Sequence, residues 1–278
     1  MHLFQFFHDD ATRALLDPDF APLNNMNSAY PDLFEHASVS QVLRTGKFND
    51  NEYIGFFCPW FNRKTAMTGR QVKDRLAQFS GDVISFSSAF EQIASYPNSF
   101  VQGDIMHPGL LNLAQTTLNT LDININLNNL VQDQTRIIFR NYFVAKYSFW
   151  VEWLELTERL LKITETKGSV LGARLNSQTL HHGRVEYPMK IFMMERMVSV
   201  LLEMKGMDAE IGIDLERAPL TSEGAEDFFN VLLRLEALKG HFLKTQAVTY
   251  RQTYEAQRQR LFRSIAERSS DRLALKAA

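Results

Sequence analysis

The first 150 residues alternate short apolar runs with amphipathic stretches, and this alternation limits the possible folds more than any other feature. The runs that read as strands are HLFQFF (2–7), EYIGFF (52–57), DVISF (82–86) and RIIFRNYFVAK (136–146). The stretches with helical spacing are GRQVKDRLAQF (69–79) and PGLLNLAQTTLNTL (108–121). Strands that alternate with helices are typical of an α/β fold with a largely parallel sheet. We therefore predict an α/β fold of this kind.

Beyond residue 147 the pattern becomes helical. The expected helices are FWVEWLELTERLLKI (149–163), PMKIFMMERMVSVLLEM (188–204) and SEGAEDFFNVLLRLEALKGHFLK (222–244), and the first and third have Ser148 and Ser222 as N-caps. From Arg251 onward, seven basic residues stand against three acidic ones, a net charge of +4. We expect one domain over residues 1–215 and a helical extension over 216–278 that packs on it and is basic at its end.

Composition excludes several classes of protein. Hydrophobic residues make up 45 % and charged residues 22 % of the chain, which is sufficient for a core and unlike a disordered chain. The net charge of −2 gives no reason to expect a nucleic-acid partner. No apolar run approaches the roughly 20 residues that span a bilayer, and the N-terminus does not have the pattern of a signal peptide. With Cys58 as its one cysteine, the chain is expected to be cytoplasmic.

Polar side chains follow two of the predicted strands directly. His8, Asp9 and Asp10 come after the first strand, at the edge where open α/β sheets bind ligands. The two acids have the chemistry to accept hydrogen bonds from a ribose or base, or to hold Mg²⁺ or Mn²⁺. The alternative, compatible with the first, is that Asp9 or Asp10 caps a short helix that starts at Ala11.

The stretch YIGFFCPWFNRKT (53–65) ends a strand in an aromatic and cationic loop. Its aromatic residues Phe56, Phe57, Trp60 and Phe61 would form an apolar slot, and Arg63 and Lys64 would lie beside it. Fixed cations suit a phosphate-bearing ligand, and an aromatic wall suits a base or a sugar face. The alternative is a core strand followed by a solvated basic turn.

Two further residues stand out by their position. His107 precedes Pro108 at an expected helix start, where it either binds a hydroxyl or phosphate or simply packs. Glu195 falls in the apolar stripe of the 188–204 helix, where a carboxylate is rare unless it is paired or functional. It therefore either forms a structural ion pair with an arginine or projects into a cleft. The chain has no P-loop, dinucleotide, nucleophile-elbow or zinc-protease motif.

In this order, the segments resemble a family of bacterial glycosyltransferase-like proteins from capsule and O-antigen gene clusters. The similar segments are YIGFFCPWFNRKT, then DVISF followed by QGDIMHPGLLNLAQ, then RNYFVAKYSFWVEWL, and last YPMKIFMMERMVSVLL. The resemblance covers roughly residues 1–204. It implies a GT-A-like (Rossmann-like) nucleotide-diphospho-sugar transferase core, with 1–215 as the catalytic domain. The implied activity is transfer of a sugar from a nucleotide sugar to a polysaccharide or lipid-linked oligosaccharide acceptor, as in a hexosyltransferase.

The resemblance also implies a role for particular residues. The donor-binding residues would be His8, Asp9, Asp10, Arg13, Trp60, Arg63, Lys64 and Thr65. The acceptor would contact Asn141 and Arg196, and an inverting route would use Glu195 or His107 as the base.

One departure concerns the metal. Enzymes of this fold usually carry an Asp-x-Asp motif after a mid-domain strand, whereas here Cys58, Pro59 and Trp60 follow it. Either Arg63 and Lys64 neutralise the diphosphate, or Asp9 and Asp10 contribute to a Mn²⁺ or Mg²⁺ site. The basic C-terminal helix is expected to touch the inner membrane peripherally, or else to be a solvated face or an oligomer contact. The rival to a transferase is a non-catalytic scaffold of a polysaccharide biosynthetic complex.

Overall fold

The computed structural model describes residues 1–26, 31–181, 185–215, 217–221 and 224–277. The strands within this part are β1 (His2–Phe7), β2 (Ala21–Asn24), β3 (Tyr53–Phe57), β4 (Val83–Ser85), β5 (Phe143–Lys146), β6 (Gln178–His181), β7 (Val185–Pro188) and β8 (Glu210–Ile211). The helices are α1 (Asp10–Arg13), α2 (Glu35–Thr45), α3 (Phe61–Thr65), α4 (Gly69–Leu76), α5 (Phe90–Ser95), α6 (Ser99–Met106), α7 (Leu110–Thr120), α8 (Tyr147–Glu165), α9 (Val170–Asn176), α10 (Met189–Glu195), α11 (Met197–Lys205), α12 (Phe229–Thr245) and α13 (Val248–Ala277). Two 3₁₀ turns cover Pro31–Leu33 and Ala225–Phe228.

Six strands form one mixed sheet in the order β2-β1-β3-β5-β4-β8, and β6 pairs with β7 separately. Strands β2, β1, β3, β4 and β8 run in one direction, while β5 runs against its neighbours β3 and β4. The prediction of an α/β fold with a largely parallel sheet is confirmed, and the sheet is compatible with a Rossmann-like fold. Because β5 is reversed, the residues before it lie at the same edge as the carboxyl ends of β1, β3 and β4.

The prediction of a single strand over 136–146 is wrong, because only Phe143–Lys146 is extended. Arg140 and Asn141 have φ values of +60° and +51°, in the left-handed region. A strand cannot continue through such residues, since extended backbone requires negative φ. The apolar run therefore supplies a buried turn first and a four-residue strand second.

The prediction of one continuous helix over 188–204 is also wrong. The helix divides at Arg196, which has φ −95° and ψ −5° and separates α10 from α11. The Arg196 guanidinium donates to the backbone oxygens of Ser99 and Phe192 at 2.8 and 2.7 Å, and to Oε1 of Gln102 at 2.9 Å. These bonds satisfy a carbonyl at the end of α10 and hold the break against α6.

Helix α8 contains the predicted span 149–163 and packs its buried aromatic face under the sheet. It begins earlier, at Tyr147, so Ser148 lies within the helix and the prediction that it is the N-cap is wrong. The Trp150 ring stacks on Phe143 with centroids 4.3 Å apart, and its Nε1 donates to the backbone oxygen of Ile54 at 2.8 Å. Trp153 lies one turn further along the same face and is equally buried. Helix α8 thus packs against β3 and β5, two of the strands whose ends form the edge of the sheet.

The C-terminal helices pack on the rest of the chain. A buried cluster joins α5 to α12 and α13 through Phe90, Ala94, Leu232, Leu235, Tyr254 and Leu261. The predicted cap Ser222 lies outside the described residues. Among the helices that the structure describes, none combines the length and apolar character needed to cross a membrane.

Candidate functional site

A cavity of about 300 Å³ opens at the carboxyl edge of the sheet. Of the residues predicted from sequence, His8, Trp60, Lys64, Asn141 and Glu195 line it. The other lining residues are Leu33, Phe34, Glu35, His36, Cys58, Arg140, Tyr142, Trp153, Tyr187, Ile191, Phe192 and Met194. Residues far apart in the chain meet here because β1, β3 and the start of β5 all reach this edge.

His8 occupies the first position after β1 and is held from both sides. Its Nδ1 lies 3.3 Å from Nδ2 of Asn25, and its Nε2 lies 3.3 Å from Oε1 of Glu35 in the first turn of α2. Its ring lies near that of Trp60, with centroids 6.5 Å apart. The imidazole is therefore oriented at the cavity wall, and Glu35 is occupied by it.

The acids that follow His8 do not reach the cavity. Asp9 caps α1, accepting from the backbone nitrogen of Thr12 at 2.7 Å and from its hydroxyl at 2.6 Å. The hydrogen bond from the Thr12 hydroxyl is the main reason that the Asp9 pKa is lowered. Asp10 is exposed, and the Arg13 guanidinium lies 5.6 Å from the Phe7 ring centroid. Asp9 thus has the capping role that the sequence offered as the alternative.

A divalent metal does not fit the side chains that the structure brings together. Among the described residues, no three His, Cys, Asp or Glu side chains lie close enough to hold an ion. Asp9 and Asp10 are exposed and have no third ligand beside them in that part of the chain. The option of an Asp9–Asp10 metal site therefore finds no support in the donor set.

The loop after β3 divides its residues between core and cavity. Phe57 and Phe61 are fully buried in a core cluster with Phe20 and Tyr142, so the predicted slot of four aromatic rings does not form. Trp60 lines the cavity and is 37 % exposed. The face of its ring is thus available to a flat ligand or a sugar.

Arg63, Lys64 and Thr65 of α3 also lie in different environments. The ammonium of Lys64 lies 5.7 Å from the Trp60 ring centroid and 3.9 Å from Sγ of Cys58, inside the cavity. Arg63 is exposed and is not part of the cavity lining. The Thr65 hydroxyl is buried and donates to the backbone oxygen of Phe61 at 2.8 Å. Of the three, only Lys64 is in position to meet a ligand in this cavity.

Arg140 is one of the site residues that sequence reasoning missed. Its Nη1 donates at 2.8 Å to the buried hydroxyl of Ser88, in the segment that follows β4. Its neighbour Asn141 lines the same cavity, and the buried Asn141 Oδ1 has no hydrogen-bond partner among the described residues. A left-handed backbone is strained for a residue such as arginine, so the turn at Arg140 is a candidate for a functional role. The available signal was a polar Arg-Asn pair inside an otherwise apolar run.

Glu195 ends α10 and lines the cavity with its side chain 34 % exposed, which is the position of the alternative in which it projects into a cleft. Its Oε2 lies 3.8 Å from Nη1 of Arg196, which is too long for a hydrogen bond. Arg196 is buried and bonded to α6, away from the cavity lining. His107 is buried behind Phe192, with ring centroids 3.5 Å apart, and Phe192 is the residue that faces the cavity.

The inner wall of the cavity carries two buried polar groups that nothing in the described chain satisfies. Nε2 of His36 and Nε1 of Trp153 both lack a hydrogen-bond partner there, and their rings lie 5.2 Å apart. Trp153 falls in the predicted helix 149–163, whereas the sequence predicts neither α2 nor a role for His36. Unpaired buried polar atoms are costly in a folded protein, and at a cavity wall they indicate a place for water or a polar ligand.

Burial lowers the pKa of His36 to about 4, well below its unfolded value of 6.5, with Glu158 raising it slightly and Arg44 lowering it. Between these values the unfolded chain binds a proton that the folded chain rejects, so stability falls as the pH drops. Urea denaturation at pH 7 and pH 4.5 should show that His36→Phe removes about 2 to 3 kcal/mol of the acid-dependent loss. An unchanged acid dependence in the variant would contradict this assignment.

A second cavity, of about 580 Å³, lies between α5, α6 and α13. Its walls are mainly apolar and include Leu232, Leu261, Phe262 and Ile265. Although larger, it contains none of the residues predicted from sequence, and it lies away from the ends of β1 and β3. Arg140 lines both cavities. The cavity at the sheet edge is therefore the better candidate site.

The edge cavity combines an exposed indole face, two cations, an accessible carboxylate and unpaired polar atoms. Such a set suits an anionic ligand that also carries a ring or a sugar. Comparison of the chain with protein families, curated proteins and solved structures gives no match.

Proposed function

We propose that this protein is a glycosyltransferase with a GT-A-like core. It transfers a sugar from a nucleotide-sugar donor to a polysaccharide or lipid-linked oligosaccharide acceptor in bacterial surface-polysaccharide synthesis. The observation that carries the proposal is the convergence of His8, Trp60, Lys64, Asn141 and Glu195 on one cavity. That cavity lies at the sheet edge where α/β proteins bind nucleotides.

The donor would lie with its base or sugar against Trp60 and its phosphates toward Lys64. The volume of about 300 Å³ is at the lower end of the range for ligand cavities. Asn141, with its unpaired Oδ1, is placed to accept a hydrogen bond from a sugar hydroxyl. Arg13, Arg63, Thr65, Asp9 and Asp10 lie outside the cavity lining, so the proposal gives them no contact with the donor.

For the chemical step, Glu195 is the base in an inverting displacement. Its carboxylate takes the proton of the acceptor hydroxyl while that oxygen attacks the anomeric carbon. The bond from this carbon to the phosphate oxygen breaks, and the nucleoside diphosphate leaves with the electron pair. His107 and Arg196 are buried away from the cavity, so they serve the fold rather than the transfer.

A thermal-shift screen tests donor binding. Nucleotide sugars of UDP, GDP and dTDP are added with and without Mn²⁺, and a true donor at a hundredfold excess over Kd should stabilise the fold by about 2.7 kcal/mol. Trp60→Ala should abolish the shift at little cost in stability, because the ring is partly exposed. If none of these sugars raises the melting temperature, the proposed donor site is contradicted, and a non-catalytic scaffold becomes the better explanation of the protein.

Exposed arginines on α13 support a peripheral location of the protein at the inner membrane, on the cytoplasmic side. Arg260 and Arg263 are exposed on this helix, and basic residues near an anionic surface each contribute about 1 kcal/mol of attraction. Two other arginines of this helix hold it to the core instead. Arg258 donates to the backbone oxygen of Ser95 at 2.6 Å, and Arg268 pairs with Asp227 at 2.7 Å.

A further inference from the structure

We propose that Lys64 and Arg140 together bind the diphosphate of the donor and take the place of a divalent cation. The inference rests on the proposed function for the identity of the ligand, but its anion chemistry is tested separately below. Arg63, which the sequence paired with Lys64 for this role, is exposed and outside the cavity lining. Arg140, from a different strand end, is the second cation of the site.

The two cations that line the cavity are not paired with its two carboxylates. The two carboxylates lie near other side chains: Oε1 of Glu35 is 3.3 Å from Nε2 of His8, and Oε2 of Glu195 is 3.8 Å from Nη1 of Arg196, beyond hydrogen-bond distance. Lys64 and Arg140 form no ion pair with any described carboxylate. Two cations that pair with neither carboxylate present N–H donors in one partly enclosed cavity, and these favour an anionic ligand over a cationic one.

The groups between the two cations are neutral. Sγ of Cys58 lies 2.6 Å from the Tyr142 hydroxyl, and the pair stands between Lys64 on α3 and the turn that carries Arg140. Burial raises the pKa of the Cys58 thiol, and it raises that of the Tyr142 hydroxyl well above its usual range. Neither group supplies an anion at neutral pH, so the Lys64 ammonium is left for the ligand.

The Arg140 side chain is held in place by the protein but keeps N–H donors for a ligand. Its guanidinium is anchored by one hydrogen bond, from Nη1 to the buried Ser88 hydroxyl, which leaves its other N–H groups available. The left-handed backbone at Arg140 and Asn141 turns the chain at the site at a cost in conformational energy. A planar guanidinium fixed in this way matches the spacing of phosphate oxygens.

A bound diphosphate would need cationic side chains, because the described acidic residues do not form a metal site. A diphosphate must be neutralised by the site that holds it. Lys64 and Arg140 come from the ends of two different strands and lie on one cavity. They supply the two positive charges that a divalent ion would otherwise provide.

Isothermal titration of the full chain with inorganic pyrophosphate, in EDTA and low salt, tests the inference. The wild-type chain should bind pyrophosphate more tightly than inorganic phosphate. Lys64→Gln and Arg140→Gln should each weaken that binding by about 10- to 100-fold. Arg63→Gln, next to Lys64 but outside the cavity lining, is the matched control and should stay within about twofold of wild type.

Denaturation curves of the variants separate a lost ligand contact from a lost fold. Lys64 is only partly buried, and the described contacts of its ammonium are with Cys58 and Trp60 of the neighbouring loop, so Lys64→Gln keeps the test valid even if Arg140→Gln unfolds. Equal weakening by Arg63→Gln, no pyrophosphate binding, or binding only after Mn²⁺ or Mg²⁺ is added would each overturn the inference. If pyrophosphate binds as expected but no nucleotide sugar raises the melting temperature, the cation pair stands and the transferase proposal fails.

Discussion

Replacing Glu195 with glutamine should abolish sugar transfer while leaving donor binding intact. A positioned base contributes about 10²- to 10⁴-fold to a reaction, and an amide of the same shape cannot take the acceptor proton. Transfer is measured as release of nucleoside diphosphate from the donor identified by the thermal-shift screen. The donor-induced rise in melting temperature should remain near the wild-type value, because Glu195 acts on the acceptor.

The same variant separates the catalytic account from a structural one. The contact between Glu195 and Arg196 is 3.8 Å long and partly exposed, and Arg196 keeps its three hydrogen bonds to Ser99, Phe192 and Gln102. Loss of stability should therefore be about 1 kcal/mol or less. Glu152→Gln, a surface carboxylate of α8 paired with Lys205, is the control. Unfolding of Glu195→Gln would favour the structural ion pair, and full activity would remove Glu195 from the mechanism.

Much of the fold follows from the sequence because local signals dominate it. Strands β1, β3 and β4 coincide with apolar runs that end in turn or polar residues, and α8 coincides with a regular apolar face. The failures have nonlocal causes. The break at Arg196 depends on oxygens of Ser99 and Gln102, more than 90 residues away in the chain. The turn at Arg140 depends on a left-handed backbone that hydrophobic periodicity does not reveal.

The site residues that follow strand ends were predictable from the sequence, whereas those that helices contribute were not. His8, Trp60 and Lys64 come after β1 and β3, and parallel strands bring their carboxyl ends to one edge. His36 and Trp153 lie on buried faces of α2 and α8, so each is indistinguishable from a core residue until the two helices pack together. Asp9 and Asp10 show the converse. They follow a strand as a binding residue would, but a local cap determines the position of Asp9.

Besides the apolar cluster, one fully buried lysine attaches the C-terminal helices to the rest of the chain. Lys239 of α12 is 0 % exposed, and its ammonium donates to the backbone oxygens of Ile93 and Gln132 at 2.6 and 2.8 Å. It also lies 2.9 Å from Oε2 of Glu236, whose Oε1 accepts from the backbone nitrogen of Gln134. One ammonium thus connects α12 to the end of α5 and to the segment before β5. This arrangement ties α12 to the core by more than apolar packing.

Lys239→Met should therefore destabilise the whole chain by about 3 to 5 kcal/mol. Methionine fills a similar volume, but it leaves the Glu236 carboxylate and the carbonyl oxygens buried without their partner. Urea denaturation measures the loss, and Lys244→Met, an exposed position on the same helix, is the matched control with an expected change below about 0.5 kcal/mol. Adding Glu236→Gln to Lys239→Met should restore part of the stability, because it removes the unpaired buried charge. Equal stability of Lys239→Met and Lys244→Met would show that apolar packing alone attaches the helices.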